Sequence, residues 1–158
     1  MSEQQLKEKI NALENKLKSI KASALMTKKV STTSPGANLA EVADLMIKER
    51  ISGMPVLGRE GKMIGIVTTT DLLIVMGMIS DGSAVDRGES TINPTVEFAM
   101  SSDIYTVNEN TGLDDVMHLM REKSIHTIPV MKDDQIVGVI GRHDVLKKFY
   151  EVVKTLSV

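Results

Sequence analysis

Two hydrophobic periods alternate along this chain. Residues 3–24 place Leu6, Ile10, Leu13, Leu17, Ile20 and Ala24 at alternating spacings of four and three, which predicts a helix with a narrow heptad seam. Lys7, Lys9, Glu14, Lys16 and Lys21 flank the seam without fixing a pairing direction: in a parallel pair Lys9 faces Glu14, but Lys16 faces Lys21. Two uses of the seam stand open, a short coiled coil that clips two subunits together or a helix laid on its own domain. A short β-like stretch follows at 30–33, ended by the turn residues Ser34-Pro35-Gly36. Asn38, with Glu41 three residues on, reads as an N-cap of capping-box type. It opens a helix whose apolar face is Leu39, Val42, Ala43 and Met46, and Ser52-Gly53 closes it. Strands are predicted at 54–57 and 63–68 around a turn at 58–61. From Asp71 to Ile79 the next helix is apolar almost all round, so it must be buried in a core or against a partner.

The same order then returns. Gly65-Ile66-Val67-Thr68-Thr69-Thr70-Asp71-Leu72-Leu73 has its second copy in Gly138-Val139-Ile140-Gly141-Arg142-His143-Asp144-Val145-Leu146. Met54-Pro55-Val56 reappears as Ile128-Pro129-Val130, and Met26 as Met100. The offset is 74 residues from Met26 to Pro55 and 73 from Gly65 to Asp71, so one deletion in the turn after Arg59-Glu60 separates the copies. In the second copy a strand is expected at 104–107 and a helix face at Leu113, Val116, Met117 and Met120. Two strands follow at 128–131 and 135–140, then a helix from Asp144 to about Leu156 with Val145, Phe149 and Val152 on one side. Residues 80–95, rich in Gly, Ser and Asp, read as a loop. The expected protein is α+β (of α/β type): an N-terminal heptad helix at 1–23, a β-α-β-β-α repeat at 24–79, a linker at 80–95 and a second repeat at 96–158. A unit of this size buries too little surface to be secure alone. Two of them packed about a pseudo-twofold axis would solve that and leave a cleft as the natural ligand site.

Composition narrows the function. A net charge of −2 offers no basic field for nucleic acid or an anionic membrane. No cysteine is present, which removes thiolate metal sites, disulfides and a cysteine nucleophile and fits a reducing cytoplasm. The longest apolar run, 72–79, is too short to span a bilayer. The three histidines, His118, His126 and His143, lack metal-ligand spacing, so no metal site is expected. Neither a nucleophile elbow nor a Walker-type phosphate loop occurs, and no enzyme is expected. Methionine, eleven times present, reads as core filler.

Asp71 and Asp144 are the candidate chemistry. An ionised carboxylate accepts only, and its two oxygens suit the two hydroxyls of a ribose. At a helix start it is also stabilised by unpaired N–H groups, so either residue could equally be a plain cap; recurrence in both copies favours the ligand.

Met26 and Met100, the helices at 39–49 and 113–123, the Pro-Val pairs at 55–56 and 129–130, and the Gly-x-x-Thr-x-x-Asp run at 65–71 occur in order, twice. On these residues both repeats resemble CBS domains, the module named for cystathionine β-synthase, and the pair resembles a Bateman module in a stand-alone CBS-domain protein. The resemblance covers about 24–148. It implies a non-catalytic regulatory module that binds AMP, ADP, ATP or S-adenosylmethionine between its repeats, needs no cofactor, and signals by conformational change to a protein effector. It also implies a homodimer packed through the helices after Asp71 and Asp144. By the family pattern one site takes its ribose on Asp71 with Thr68, its adenine against Ile104, Tyr105 and Thr127, and its phosphate on Arg142 and His143. The other rests on Asp144 and uses Ser31, Ser52, Gly53 and His126, with Thr69 and Thr70 towards the phosphate. That second site is expected to be weaker, since Gly141 stands where Thr68 stands and no cation faces the phosphate. A structural adaptor with a vestigial cleft, acting through the N-terminal helix, is the alternative.

Overall fold

The computed structural model describes residues 1–157; Val158, the expected end of the second repeat, lies outside them. Its elements are α1 (Glu3–Ser19), α2 (Ala22–Leu25), α3 (Leu39–Glu49), β1 (Gly53–Leu57), β2 (Met63–Thr68), α4 (Thr69–Ser80), α5 (Ser83–Asp86) and α6 (Val96–Ala99). Then come β3 (Val107–Asn108), α7 (Leu113–Lys123), β4 (Thr127–Lys132), β5 (Gln135–Gly141) and α8 (Arg142–Ser157). The fold is α+β, as the periodicities predict.

The chain forms two compact units, and they cut across the sequence repeats. One unit holds Met1–Val30 with the chain from Tyr105 onward; the other is Ser31–Ile104. The opening segment of each repeat is thus built into the unit that holds the other repeat's strands. In the first unit Thr27 bridges Val139 on β5, and a Cβ on Gly138 would come within 2.7 Å of Met26 Cγ. In the second, Ser101 bridges Ile66 on β2, and a Cβ on Gly65 would come within 2.9 Å of the Ser101 carbonyl oxygen. These two glycines let an opening segment lie flat on a strand, which explains why Met26/Gly138 and Met100/Gly65 repeat together.

The unit of Ser31–Ile104 has a two-stranded antiparallel sheet, β1 with β2. Pro55 is tolerated in β1 because the carbonyl of its partner Ile66 accepts from the Ser101 N–H at 2.9 Å, so the pair needs no donor from the proline. The core is Leu39, Val42, Met46, Met54, Val56, Val67, Val75 and Val96. The other unit orders its strands β3-β4-β5, β3 parallel and β5 antiparallel to β4. Its core joins Leu17, Ala22 and Leu25 to Leu113, Val116, Ile128, Val130, Ile140 and Val145.

Several local expectations are corrected by tertiary contacts. The helix expected over 3–24 breaks at Ile20 and Lys21, both extended. There the Ile20 carbonyl accepts from the Leu113 N–H and the Ala22 N–H donates to the Thr111 carbonyl, bonds a continuous helix could not make. Asn38 precedes α3, but its side chain caps nothing. The Leu39 N–H donates to the Pro94 carbonyl and the Ala40 N–H to Asn93 Oδ1, so the connector caps the helix. The strands expected at 30–33 and 104–107 shrink to one bridge, Thr33 with Val56, and to Val107–Asn108. The connector holds one helical turn, α5. Asp71 and Asp144 are each the third residue of their helix rather than the first.

The apolar helix α4 is not engulfed. Only Val75 is buried, while Leu73, Ile74 and Met76 are 64%, 58% and 60% exposed.

Candidate functional site

Each repeat ends its second strand and turns at once into a helix, and the candidate residues gather at that turn. In the unit of Ser31–Ile104, Gly53 pairs with Thr68, and the Ser52 carbonyl accepts from the Thr69 N–H at 2.9 Å. Thr68 caps α4 in a reciprocal box: the Asp71 N–H donates to Thr68 Oγ1 at 3.3 Å, and Thr68 N–H and Oγ1 donate to Asp71 Oδ2 at 2.8 and 3.0 Å. Both bonds to the carboxylate end on Oδ2, leaving Oδ1 without a hydrogen bond among the described residues. Thr69 and Thr70 are exposed on the first turn of α4, and Ile104 is half-buried. Ser31 donates its hydroxyl to Glu49.

The unit of Tyr105 onward repeats this geometry with different chemistry. Thr127 pairs with Gly141, and the His126 carbonyl accepts from the Arg142 N–H at 3.0 Å, the counterpart of Ser52 with Thr69. The Gly141 N–H donates to Asp144 Oδ2 at 2.8 Å, and again Oδ1 takes no hydrogen bond among the described residues. Gly141 has no hydroxyl, so this carboxylate is held by one bond where Asp71 is held by two. Arg142 and His143 are exposed; the Arg142 guanidinium lies 3.5 Å from His126 Nδ1. The structure thus brings together Arg142 and His126, which the family pattern divides between two ligands. Tyr105 is half-buried with the Lys123 ammonium 5.1 Å above its ring, a cation the sequence reading did not connect with the site. No spacing rule links Tyr105 and Lys123, and only their tertiary placement reveals the pair.

The fold is thus two alike α+β units, each presenting a carboxylate held through one oxygen near a helix start, beside exposed hydroxyls in one unit and exposed Arg142 and His143 in the other. The chain matches the CBS domain family at residues 22–78 and 96–151, and it belongs to that family. It is 30% identical over 118 residues to inosine-5'-monophosphate dehydrogenase of Aquifex aeolicus, a match that covers 74% of this chain and 22% of that enzyme. The chain spans less than half the length of several curated relatives that it matches. The crystal structure of protein MJ1225 from Methanocaldococcus jannaschii superposes with a TM-score of 0.73 at 28% identity, covering 89% of this chain and 51% of that one. Two further crystal structures share the fold. CBSX2 in complex with AMP has a TM-score of 0.70 at 19% identity, covering 85% of this chain and 98% of that one. The CBS domain pair of protein MJ0100, in complex with methylthioadenosine and S-adenosyl-L-methionine, has 0.67 at 23%, covering 83% and 96%. No helix among the described residues is long and apolar enough to cross a membrane.

Proposed function

We propose that this chain is a non-catalytic regulatory module that binds an adenosine-containing ligand, its ribose on Asp71, and passes the bound state to a protein partner. The observation that carries the reading is the free Oδ1 of Asp71, an acceptor fixed in direction by two hydrogen bonds to the other oxygen. A carboxylate so held repels a phosphate beside it, and the cationic counterpart turn, with Arg142 and His143, is the natural phosphate partner. Both repeats contribute to each ligand in this reading, with Ile104, Tyr105 and Thr127 against the adenine. The complexes of CBSX2 with AMP and of MJ0100 with S-adenosyl-L-methionine support the ligand class without choosing its member. Asp144 would hold a second, weaker ligand, since its partner turn offers Thr69 and Thr70 but no cation.

Isothermal titration with AMP, ADP, ATP and S-adenosylmethionine tests this. Expected is micromolar binding, roughly −8 kcal/mol, with Arg142→Ala weakening the nucleotides more than S-adenosylmethionine. Absence of binding by all four ligands refutes the reading. Signalling requires that the ligand favour one arrangement of the repeats over another. The exposed face of α4 at Leu73 and Ile74 would join two copies. Ile74→Glu is then expected to give monomers in sedimentation equilibrium, and an unchanged dimer would remove Ile74 from the interface.

A further inference from the structure

The last residues of α3 and α7 occupy matching places and carry opposite charges. Both helices run 11 residues and end on a left-handed cap, Arg50 and Ser124. After each cap the chain folds back alike: the Ile51 N–H donates to the Met46 carbonyl as the Ile125 N–H donates to the Met120 carbonyl. Thr33 lies parallel beside Val56 as Val107 lies beside Val130. On these matched backbones one side-chain contact recurs. Glu49 ends α3 and accepts from the Ser31 hydroxyl, while Lys123 ends α7 with its ammonium 5.1 Å above the Tyr105 ring. Ser31 and Tyr105, like Glu49 and Lys123, stand 74 residues apart, the offset that relates the early halves of the repeats.

Neither charge is neutralised. Glu49 is half-buried and Lys123 exposed, and among the described residues neither forms an ion pair. The Ser31 bond ends on Glu49 Oε2, so Oε1 takes no hydrogen bond among the described residues. A carboxylate on the last residue of a helix meets the negative end of the helix dipole, so Glu49 does not stabilise α3. An ammonium suits that end of α7, yet Lys123 lies over an aromatic face on which a ligand ring could stack. A half-buried carboxylate without a counter-ion, and an ammonium on a stacking face, are each suited to a charged ligand.

We propose that Glu49 and Lys123 determine which ligand each repeat's base pocket takes. The inference rests on the ligand reading above, in which Tyr105 faces the base of the ligand on Asp71 and Ser31 serves the ligand on Asp144. Lys123 draws an anionic adenine nucleotide to Tyr105. Glu49 repels such a nucleotide from Ser31 and favours an adenosyl compound of net positive charge, for which S-adenosylmethionine is the probe. A unit charge within about a Debye length of a polyphosphate, about 10 Å, changes its affinity by about tenfold.

Isothermal titration of the full chain with ADP and S-adenosylmethionine, alone and in sequence, tests this. In the parent, ADP is expected to fill a single site and leave S-adenosylmethionine binding intact. Glu49→Gln keeps an acceptor for the Ser31 hydroxyl and lies outside both cores, so it should fold. It is expected to weaken S-adenosylmethionine about tenfold, and Glu49→Lys to admit a second ADP. Lys123→Gln is expected to weaken ADP about tenfold and uncharged adenosine less than about twofold. If the parent binds only one of the two charged ligands, or binds them in competition, the proposal is overturned while the ligand reading stands. The same holds if natively folded variants keep the parent's ratio of affinities. If the parent binds neither adenosine nor any charged adenosyl ligand, both readings fall together.

Discussion

The carboxylate of Asp71 serves the helix and, in the proposed function, the ligand, and the two roles separate by substitution. The capping box consists of the Asp71 N–H on Thr68 Oγ1 and the Thr68 N–H and Oγ1 on Asp71 Oδ2. Losing such a cap costs about 1 kcal/mol, roughly 2–4 °C in Tm for a chain of this length. Thr68→Val and Asp71→Ala both break the box, so both should lower Tm by about that much. Their effects on binding should differ. Two ribose hydroxyls on a carboxylate contribute about 1.5 kcal/mol each at the low end for charged acceptors, so Asp71→Ala should raise Kd by roughly 150-fold. Thr68→Val leaves the charge in place and loosens only its direction, so less than about tenfold is expected. Asp71→Asn retains an acceptor for the Thr68 N–H and should hold Tm close to that of the parent while losing affinity. Calorimetric melts and isothermal titration on the same samples give both numbers. If Thr68→Val and Asp71→Ala weaken binding by the same factor, or neither does, Asp71 is a cap and the ribose assignment falls.

Other consequences concern packing. Gly138→Ala would press a methyl against Met26 Cγ and Cβ, at 2.7 and 2.9 Å; overpacking of this kind costs about 1–3 kcal/mol in chemical denaturation, and Met26→Ala in the same chain, which removes the Cγ but keeps the Cβ, should restore only part of it. Ser124 ends α7 with φ 51, a left-handed conformation that an L side chain adopts at a cost; Ser124→Gly should raise stability by about 1 kcal/mol, and an unchanged Tm would show the strain to be relieved elsewhere. Leu17 is 6% exposed and belongs to a core, whereas Leu6 is 49% exposed. Leu17→Ala should cost about 2–5 kcal/mol and Leu6→Ala no more than about 0.5; equal costs would mean that α1 is not seated as described.

The seating of α1 also shows where sequence reading stops. Its heptad seam was visible, but the seam suited a coiled coil and a surface helix equally, and only Leu17 entering the core with Leu113 and Val116 decides for its lower half. The repeat was legible because each copy needs the same local devices in the same order: an apolar helix face, a Pro-Val strand, a glycine at a crossing, an aspartate on a helix start. Their partners were not legible. Gly138 reads as a strand glycine, and nothing local says that Met26, more than a hundred residues earlier, lies on it. Asn38 and Glu41 carry the pattern of a capping box, yet Asn93 and Pro94 arrive from the connector and take the donors first. The candidate site follows the same rule. Thr68 and Asp71 are three residues apart and their mutual bonds could be anticipated, whereas Arg142 beside His126 and Lys123 over Tyr105 arise from strands and helices meeting. Because the unlike residues of the two turns are the ones whose neighbours are set at long range, ligand choice should respond to substitutions at Lys123 and His126 as well as at the two aspartates.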